Sequence, residues 1–98
     1  MTQDTESPHT REAAVTICNQ RGLHARAAAK FVRTVEAFEA EVSVTKDDVT
    51  VPGTSIMGLM MLAAGPGTTL YLQATGADAA AVLDALAALV RRKFDEDA

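Results

Sequence analysis

The sequence predicts a two-layer α+β sandwich, in which a four-stranded antiparallel sheet is covered on one face by three helices. Three observations lead to this open-faced fold class. The strand-like segments alternate apolar and polar residues, so each strand has one buried face. The helix-like segments carry apolar residues at helical spacing, which gives each helix a face for the core. The segments follow one another in the order βαββαβα, with short turns between them.

The predicted boundaries follow from these patterns. In chain order they are a strand over residues 13–18, a helix over 27–35, a hairpin of strands 41–46 and 49–51, a short helix over 56–62, a strand over 69–75 and a helix over 79–93. Ser55 and Asp78 are the predicted N-caps of the second and third helices. We expect a flexible tail over residues 1–11, one domain over 12–94 and a frayed end over 95–98.

Composition and charge limit the classes of function. A chain of 98 residues with 48% hydrophobic residues folds as one domain and is not disordered throughout. A net charge of −4 and an aromatic content of 4% argue against a general nucleic-acid binder. One cysteine cannot form an internal disulfide, so we expect a reduced, cytoplasmic chain. The longest apolar run, residues 56–64, is too short to span a bilayer.

A histidine stands where a glycine-bearing turn becomes a helix, in the stretch from Gly22 to Arg26 (Gly-Leu-His-Ala-Arg). The first backbone N–H groups of a helix lack internal partners and lie at the positive end of its dipole, so such a turn binds phosphate. A histidine held beside an anion site can act as a nucleophile and form a covalent intermediate. The stretch therefore indicates a phosphohistidine at His24. On this pattern alone, a histidine that only caps the helix is an equal alternative.

The surroundings of His24 are basic although the chain is acidic. Residues 13–35 contain no carboxylate and four basic residues, which are Arg21, Arg26, Lys30 and Arg33. An ordinary solvated helix face would account for Lys30 and Arg33. It accounts less well for the absence of acids from the whole stretch, so we predict a positive patch around His24. No cluster of side chains has the spacing of metal ligands, and we expect neither a metal nor a cofactor.

The short second helix is apolar on nearly every side. A short helix on a small domain cannot bury every side, so we expect some of Ile56, Met57 and Met60 to be exposed as a docking surface for partners. We add the basic Arg33 to this predicted surface. The alternative is that the methionines all fill gaps in the core.

Two motifs within this order of elements resemble the HPr family, the histidine phosphocarriers of the bacterial phosphotransferase system. Residues 22–26 are similar to the motif with the family's phosphorylated histidine. Residues 54–60 (Thr-Ser-Ile-Met-Gly-Leu-Met) are similar to the segment with its regulatory serine. The resemblance covers roughly residues 12–94. It implies that His24 accepts phosphate at Nδ1 from a phosphoenolpyruvate-dependent enzyme I, and that Arg26 helps to hold the phosphoryl group.

The resemblance also implies the partners. The phosphate would pass to an IIA-type domain, and Ser55 would be the target of an ATP-dependent HPr kinase/phosphorylase in organisms that have one. The protein would be a monomeric carrier and not an enzyme, without a nucleic-acid or membrane partner. An alternative is a regulator whose phosphorylation state is read by target proteins. A small RNA-binding module is disfavoured, because the strands offer only Tyr71 for stacking on bases.

The chain departs from the family pattern at Ala27, where the family often has proline. Proline would fix φ in the first helical turn without loss of a hydrogen bond, whereas alanine leaves the unfolded segment more freedom. We therefore expect the helix to form with a less rigid start. Ala27, the ending Phe-Asp-Glu-Asp and the helix Gly-Leu-Met-Met-Leu look closer to the family's nitrogen-related branch than to the sugar-uptake carriers.

Overall fold

The computed structural model describes residues 10–98; residues 1–9, which hold most of the predicted tail, lie outside the described part. Within residues 10–98 the elements follow the predicted order βαββαβα. They are β1 (Thr10–Thr16), α1 (Ala25–Glu36), β2 (Glu41–Lys46), β3 (Val49–Pro52), α2 (Ile56–Met61), β4 (Thr69–Thr75) and α3 (Ala79–Arg91), followed by a 3-10 turn at Lys93–Asp95. No helix in this part of the chain is long and apolar enough to cross a membrane.

The strands form one antiparallel sheet in the order β1-β4-β2-β3. The predicted alternation is confirmed on the central strand β4, where Leu70 and Leu72 are buried and Tyr71, between them, is 58% exposed. Since the apolar face of the sheet is buried and the polar face is open, the fold is the predicted open-faced α+β sandwich.

The helices bury the predicted apolar stripes against this sheet. The buried residues of α1 are Ala27, Ala28, Phe31, Val32 and Val35. The buried residues of α3 are Ala79, Val82, Leu83, Leu86, Leu89 and Val90. Burial of one such large apolar side chain contributes about 1.5–3 kcal/mol, so the two stripes hold the helices on the sheet.

Two predicted element starts were wrong. β1 begins at Thr10 and not at residue 13, because its register with β4 extends to the pair Thr10 and Thr75. Thr10 and Arg11 therefore belong to the sheet and not to a tail. α1 begins at Ala25 and not at residue 27, because the backbone carbonyl of His24 already accepts the first helical hydrogen bond. Both starts lie in polar or short-side-chain sequence, where hydrophobic periodicity gives no signal.

The predicted N-cap at Asp78 also needs correction. Asp78 occupies the N-cap position of α3, but its side chain makes no capping hydrogen bond. Instead its Oδ2 accepts a hydrogen bond of 2.8 Å from the backbone N–H of Glu39. The carboxylate thus ties the start of α3 to the turn between α1 and β2.

The final segment (residues 93–98) turns back onto the domain, and it includes residues 95–98, for which the sequence predicts a frayed end. Lys93, Phe94 and Asp95 have φ values of 61°, 54° and 65°, and these left-handed residues turn the chain back after α3. The Phe94 side chain is fully buried, and its carbonyl accepts a hydrogen bond of 2.7 Å from Lys30 Nζ. Gln20 N–H donates to the carbonyl of Ala98 at 2.9 Å. The burial of Phe94 compensates for the strained turn and holds the segment beside α1.

Candidate functional site

Gly22 fixes the turn that leads into α1. Its φ is +69°, and a Cβ at this position would lie 2.5 Å from the carbonyl oxygen of Ala64. The same carbonyl accepts a hydrogen bond of 2.9 Å from the N–H of Leu23, whose side chain is buried. Only glycine combines this backbone conformation with so close an approach. The turn is therefore held against the loop that follows α2.

His24 occupies the N-cap position of α1 with an extended backbone. Its side chain makes no capping hydrogen bond, so the structure gives the ring no role as a helix cap. The first helical bond runs from Ala28 N–H to the carbonyl of His24, at 2.8 Å. The N–H groups of residues 25–27 are thus left without helical acceptors, and the first turn of α1 contains no acidic residue. These features favour an anion beside His24.

Only part of the predicted positive patch lies free near His24. The side chain of Arg26 is exposed, and it forms no hydrogen bond or ion pair with any other residue of the range 10–98. Lys30 is instead engaged by the carbonyl of Phe94 and lies 3.7 Å from Asp95 Oδ2. Arg33 is exposed in the last turn of α1. At a rise of 1.5 Å per residue it is roughly 13 Å along the helix from His24. Arg26, in the first turn of α1, and the exposed Arg21 are therefore the cations of the predicted patch that remain near the start of this helix.

The ring of His24 is hydrogen-bonded through Nε2 to Oε2 of Glu96. Both side chains are 17% exposed. Nδ1 makes no hydrogen bond with any residue in the described range 10–98, so it is the ring nitrogen left for chemistry. Sequence reasoning missed Glu96, since a charged run at 95–97 is typical of a solvated end. The one signal that could have located it is Phe94, an aromatic residue that needs burial.

Asn19 holds the other oxygen of this carboxylate. The fully buried Asn19 donates through Nδ2 to Glu96 Oε1 at 2.9 Å and to the carbonyl of Gly22 at 2.8 Å. Burial raises the pKa of Glu96. The hydrogen bonds from Asn19 and His24 and the charges of His24 and Arg21 oppose this, and the net result is a pKa below the usual 4.5. Glu96 is therefore ionised at neutral pH.

Ser55 is the N-cap of α2, as predicted. Its Oγ accepts a hydrogen bond of 2.9 Å from the N–H of Gly58, and the residue is half-buried. Because Leu23 is bonded to Ala64, the end of α2 lies next to the His24 turn and Ser55 lies at the far end. A helix of six residues is roughly 9 Å long, so the length of α2 separates Ser55 from the first turn of α1.

The exposed residues of α2 form the predicted apolar surface, whose role in docking stays a prediction. Its members, with their exposed fractions, are Ile56 (41%), Met57 (71%), Met60 (43%) and Met61 (76%). The alternative that the methionines all fill core gaps is wrong, because Leu59 and Leu62 fill the core instead. We did not single out Met61, the most exposed of the four. Its spacing of four residues from Met57, which places both on one helix face, was the available signal.

Comparisons with known proteins agree with this architecture. The family model described as "PTS HPr component phosphorylation site" matches residues 11–92. Phosphocarrier protein HPr of Neisseria meningitidis is 51% identical over 83 residues, which cover 85% of this chain and 93% of the relative. Phosphocarrier protein NPr of Shewanella violacea is 47% identical over 85 residues, which cover 87% and 93%.

Solved structures give the same result. The crystal structure of HPr from Thermoanaerobacter tengcongensis has a TM-score of 0.85 at 40% identity and covers 90% of this chain and 99% of its own. That of a phosphocarrier protein HPr from Bacillus anthracis has a TM-score of 0.79 at 41% identity, with coverages of 83% and 96%. The match of sequence, domain length and fold shows that the chain belongs to the HPr family of phosphocarrier proteins.

Proposed function

We propose that this protein is a phosphocarrier of the phosphotransferase system in which His24 accepts a phosphoryl group at Nδ1 from enzyme I and passes it to an IIA-type protein. The observation that carries the proposal is the state of the His24 ring. It stands at the N-terminus of α1, with Nε2 hydrogen-bonded to Glu96 and with no hydrogen bond from Nδ1 to any of residues 10–98. A nucleophile with a free lone pair at a phosphate-binding helix end is what acceptance of a phosphoryl group needs.

The transfer step uses the lone pair of His24 Nδ1 as the nucleophile and the start of α1 as the binding site for the phosphoryl oxygens. The lone pair of Nδ1 attacks phosphorus, the bond from phosphorus to the donor breaks, and its electron pair stays with the donor. The N–H groups at the start of α1 and the guanidinium of Arg26 can bind the phosphoryl oxygens, and arginine can do so with two donors. The proton on Nε2 stays in place. Onward transfer reverses the step, with the IIA-type protein as the new acceptor.

Labelling by enzyme I and radioactive phosphoenolpyruvate tests the role of His24. We expect His24→Ala to abolish incorporation of phosphate, and His9→Ala, which removes the other histidine of the chain, to leave it intact. Undiminished labelling of the His24→Ala protein would refute the proposal.

Arg26→Ala tests the proposed contact with phosphate. Hydrogen bonds to charged groups contribute about 1.5–3 kcal/mol, so loss of this arginine should slow phosphorylation about tenfold or more. Arg91→Ala is the matched control, because Arg91 is an exposed arginine of α3 with no proposed function. Equal rates for the two variants would show that Arg26 does not hold the phosphoryl group.

Onward transfer separates a carrier from a regulator. A carrier incubated in the phosphorylated form with a purified IIA protein should lose its label to that protein, whereas a regulator should keep it.

The relatives named NPr and HPr are 47% and 51% identical to this chain, so identity does not assign the nitrogen-related or the sugar-uptake branch of the family. We propose a nitrogen-related acceptor because of Ala27 and the apolar α2. Faster transfer to a sugar-specific IIA domain would contradict that choice.

We also propose that Ser55 accepts phosphate from an HPr kinase/phosphorylase where the organism has one. A phosphoserine adds about −1.5 to −2 charges, which a helix N-terminus tolerates, so α2 should stay folded. The new charge would lie next to Ile56 and Met57 and should weaken docking of acidic partners. Mass spectrometry after incubation with kinase and ATP should find phosphate on Ser55, and none on a Ser55→Ala variant that retains Thr54. An unmodified Ser55 would refute the proposal.

A further inference from the structure

We infer that Glu96 is a positioning residue for His24: it holds the imidazole in the tautomer that carries its proton on Nε2 and its lone pair on Nδ1. The assignment of the tautomer stands on the hydrogen bonds of the folded chain. Its consequence for phosphate acceptance rests on the function proposed above.

The chemistry of the two partners fixes the direction of the hydrogen bond. An ionised carboxylate can only accept, and the partner of Nε2 is Glu96 Oε2. Nε2 must therefore carry the proton, which leaves Nδ1 with the lone pair in the neutral ring. The depressed pKa of Glu96 keeps the carboxylate ionised at neutral pH.

Three attachments hold the carboxylate in place, so the contact belongs to the folded structure. Asn19 binds Glu96 Oε1, and Asn19 is itself anchored to the carbonyl of Gly22. Phe94, two residues before Glu96, is fully buried, and Ala98, two residues after it, is bonded to Gln20. Precise orientation of a histidine by a carboxylate on its second nitrogen is a general way to set its reactive tautomer.

The other charged groups near the His24 ring are cations or are bound elsewhere, so Glu96 is the carboxylate that contacts the ring in the described range 10–98. Arg21 and Arg26 are exposed cations near the start of α1. Lys30 is engaged by residues 94 and 95, and Asp95 is bonded to Arg92 at 2.8 Å. The negative charge of Glu96 lies on the Nε2 side of the ring, across the imidazole from the nitrogen that would bind phosphorus. Its repulsion of a phosphoryl group is thereby limited, while its effect on the tautomer is direct.

Glu96→Gln and Glu96→Ala separate this role from simple packing. In Glu96→Gln, the amide oxygen should remain on the Asn19 N–H, because that neighbour is a donor. The amide NH₂ then faces Nε2 and donates to it, which favours the proton on Nδ1 and removes the reactive lone pair. Glu96→Ala only removes the bond and lets both tautomers form. Reactivity should therefore decrease from wild type to Glu96→Ala to Glu96→Gln, whereas a packing role would make the near-isosteric glutamine the milder change.

Nitrogen NMR of ¹⁵N-histidine-labelled protein, at a pH where the ring is neutral, measures the tautomer without any phosphate. We expect the proton on Nε2 in the wild type, a shift toward Nδ1 in Glu96→Gln and a mixture in Glu96→Ala. Asp97→Asn is the matched control, because it removes the same charge from an exposed neighbour and should leave the wild-type spectrum. With enzyme I and phosphoenolpyruvate, Glu96→Gln should be phosphorylated about tenfold more slowly than Asp97→Asn, which corresponds to about 1.4 kcal/mol.

These experiments distinguish failure of the positioning role of Glu96 from failure of the proposed phosphocarrier function. If Glu96→Gln keeps the proton on Nε2, or reacts as fast as Asp97→Asn, the role of Glu96 is refuted even though the wild type is phosphorylated. If the tautomer responds as expected but the wild type takes no phosphate, the role of Glu96 stands and the phosphocarrier function fails. Should Glu96→Gln not fold, Glu96→Ala decides: a wild-type tautomer in that variant overturns the inference, and a mixture supports it.

Discussion

Replacement of Gly22 by alanine should strongly destabilise the turn that carries His24. A left-handed alanine costs about 1–2 kcal/mol. The new Cβ would also lie 2.5 Å from the carbonyl oxygen of Ala64, and overpacking of this kind costs about 1–3 kcal/mol more. We therefore expect Gly22→Ala to lower the free energy of unfolding by about 2–5 kcal/mol, against a total of about 5–15 kcal/mol for a domain.

Gly67 provides the control for the backbone cost alone. Its φ is +88°, and a Cβ there would meet no atom within 4 Å. Gly67→Ala should therefore lose only the cost of the left-handed conformation, about 1–2 kcal/mol. Urea unfolding of the two variants, followed by circular dichroism, measures the difference, which is the cost of the clash with Ala64. Because Ala64 also accepts the Leu23 hydrogen bond, relief of the clash has to move the turn, so phosphorylation of His24 should slow in Gly22→Ala and not in Gly67→Ala. Equal loss of stability in the two variants would refute this reasoning.

Three further predictions concern the final segment and the docking surface. Phe94→Ala removes a fully buried aromatic ring and should cost about 3–5 kcal/mol in urea unfolding; a loss below about 1 kcal/mol would show that the segment does not pack as described. Since the folded pKa of Glu96 lies below its usual 4.5, its contribution to stability is present above that pH and is lost as the pH falls through the folded pKa. Wild type and Glu96→Gln should thus differ in unfolding free energy at neutral pH and converge in acid, and a constant difference would contradict this. Met57→Ser and Met61→Ser should weaken binding of enzyme I in calorimetry with little loss of stability, since these side chains are 71% and 76% exposed, whereas Tyr71→Ser on the opposite face should bind normally.

The elements of the fold were predictable from the sequence because the spacing of apolar residues follows which side of each element is buried. Alternation on β4 and the helical spacing of Phe31, Val32 and Val35 exist because one side of each element meets the core. The N-cap at Ser55 was predictable because the capping bond is local, from Oγ to an N–H three residues along the chain. The same local logic placed His24 at the start of a helix.

The carboxylate beside His24 was not predictable in this way. Glu96 and His24 are 72 residues apart, and their contact depends on the direction in which the chain leaves α3. Three consecutive residues with left-handed backbone, 93–95, set that direction. None of them is a glycine, the residue type from which such a turn is usually predicted. In the sequence, the run at 95–97 is indistinguishable from a solvated acidic end. Lys30 was assigned to a positive patch for the same reason, because its acceptor at Phe94 is also distant in sequence.

The most direct test of the account is the identity of the nitrogen that bears phosphorus. Protein with ¹⁵N-labelled histidine, phosphorylated by enzyme I and phosphoenolpyruvate, should show coupling of one phosphorus to Nδ1 of His24, with a proton on Nε2. Phosphorus on His9 or on a residue that is not histidine would contradict the account. Phosphorus on Nε2 of His24 would contradict it as well, because Nε2 is hydrogen-bonded to Glu96 in the folded protein.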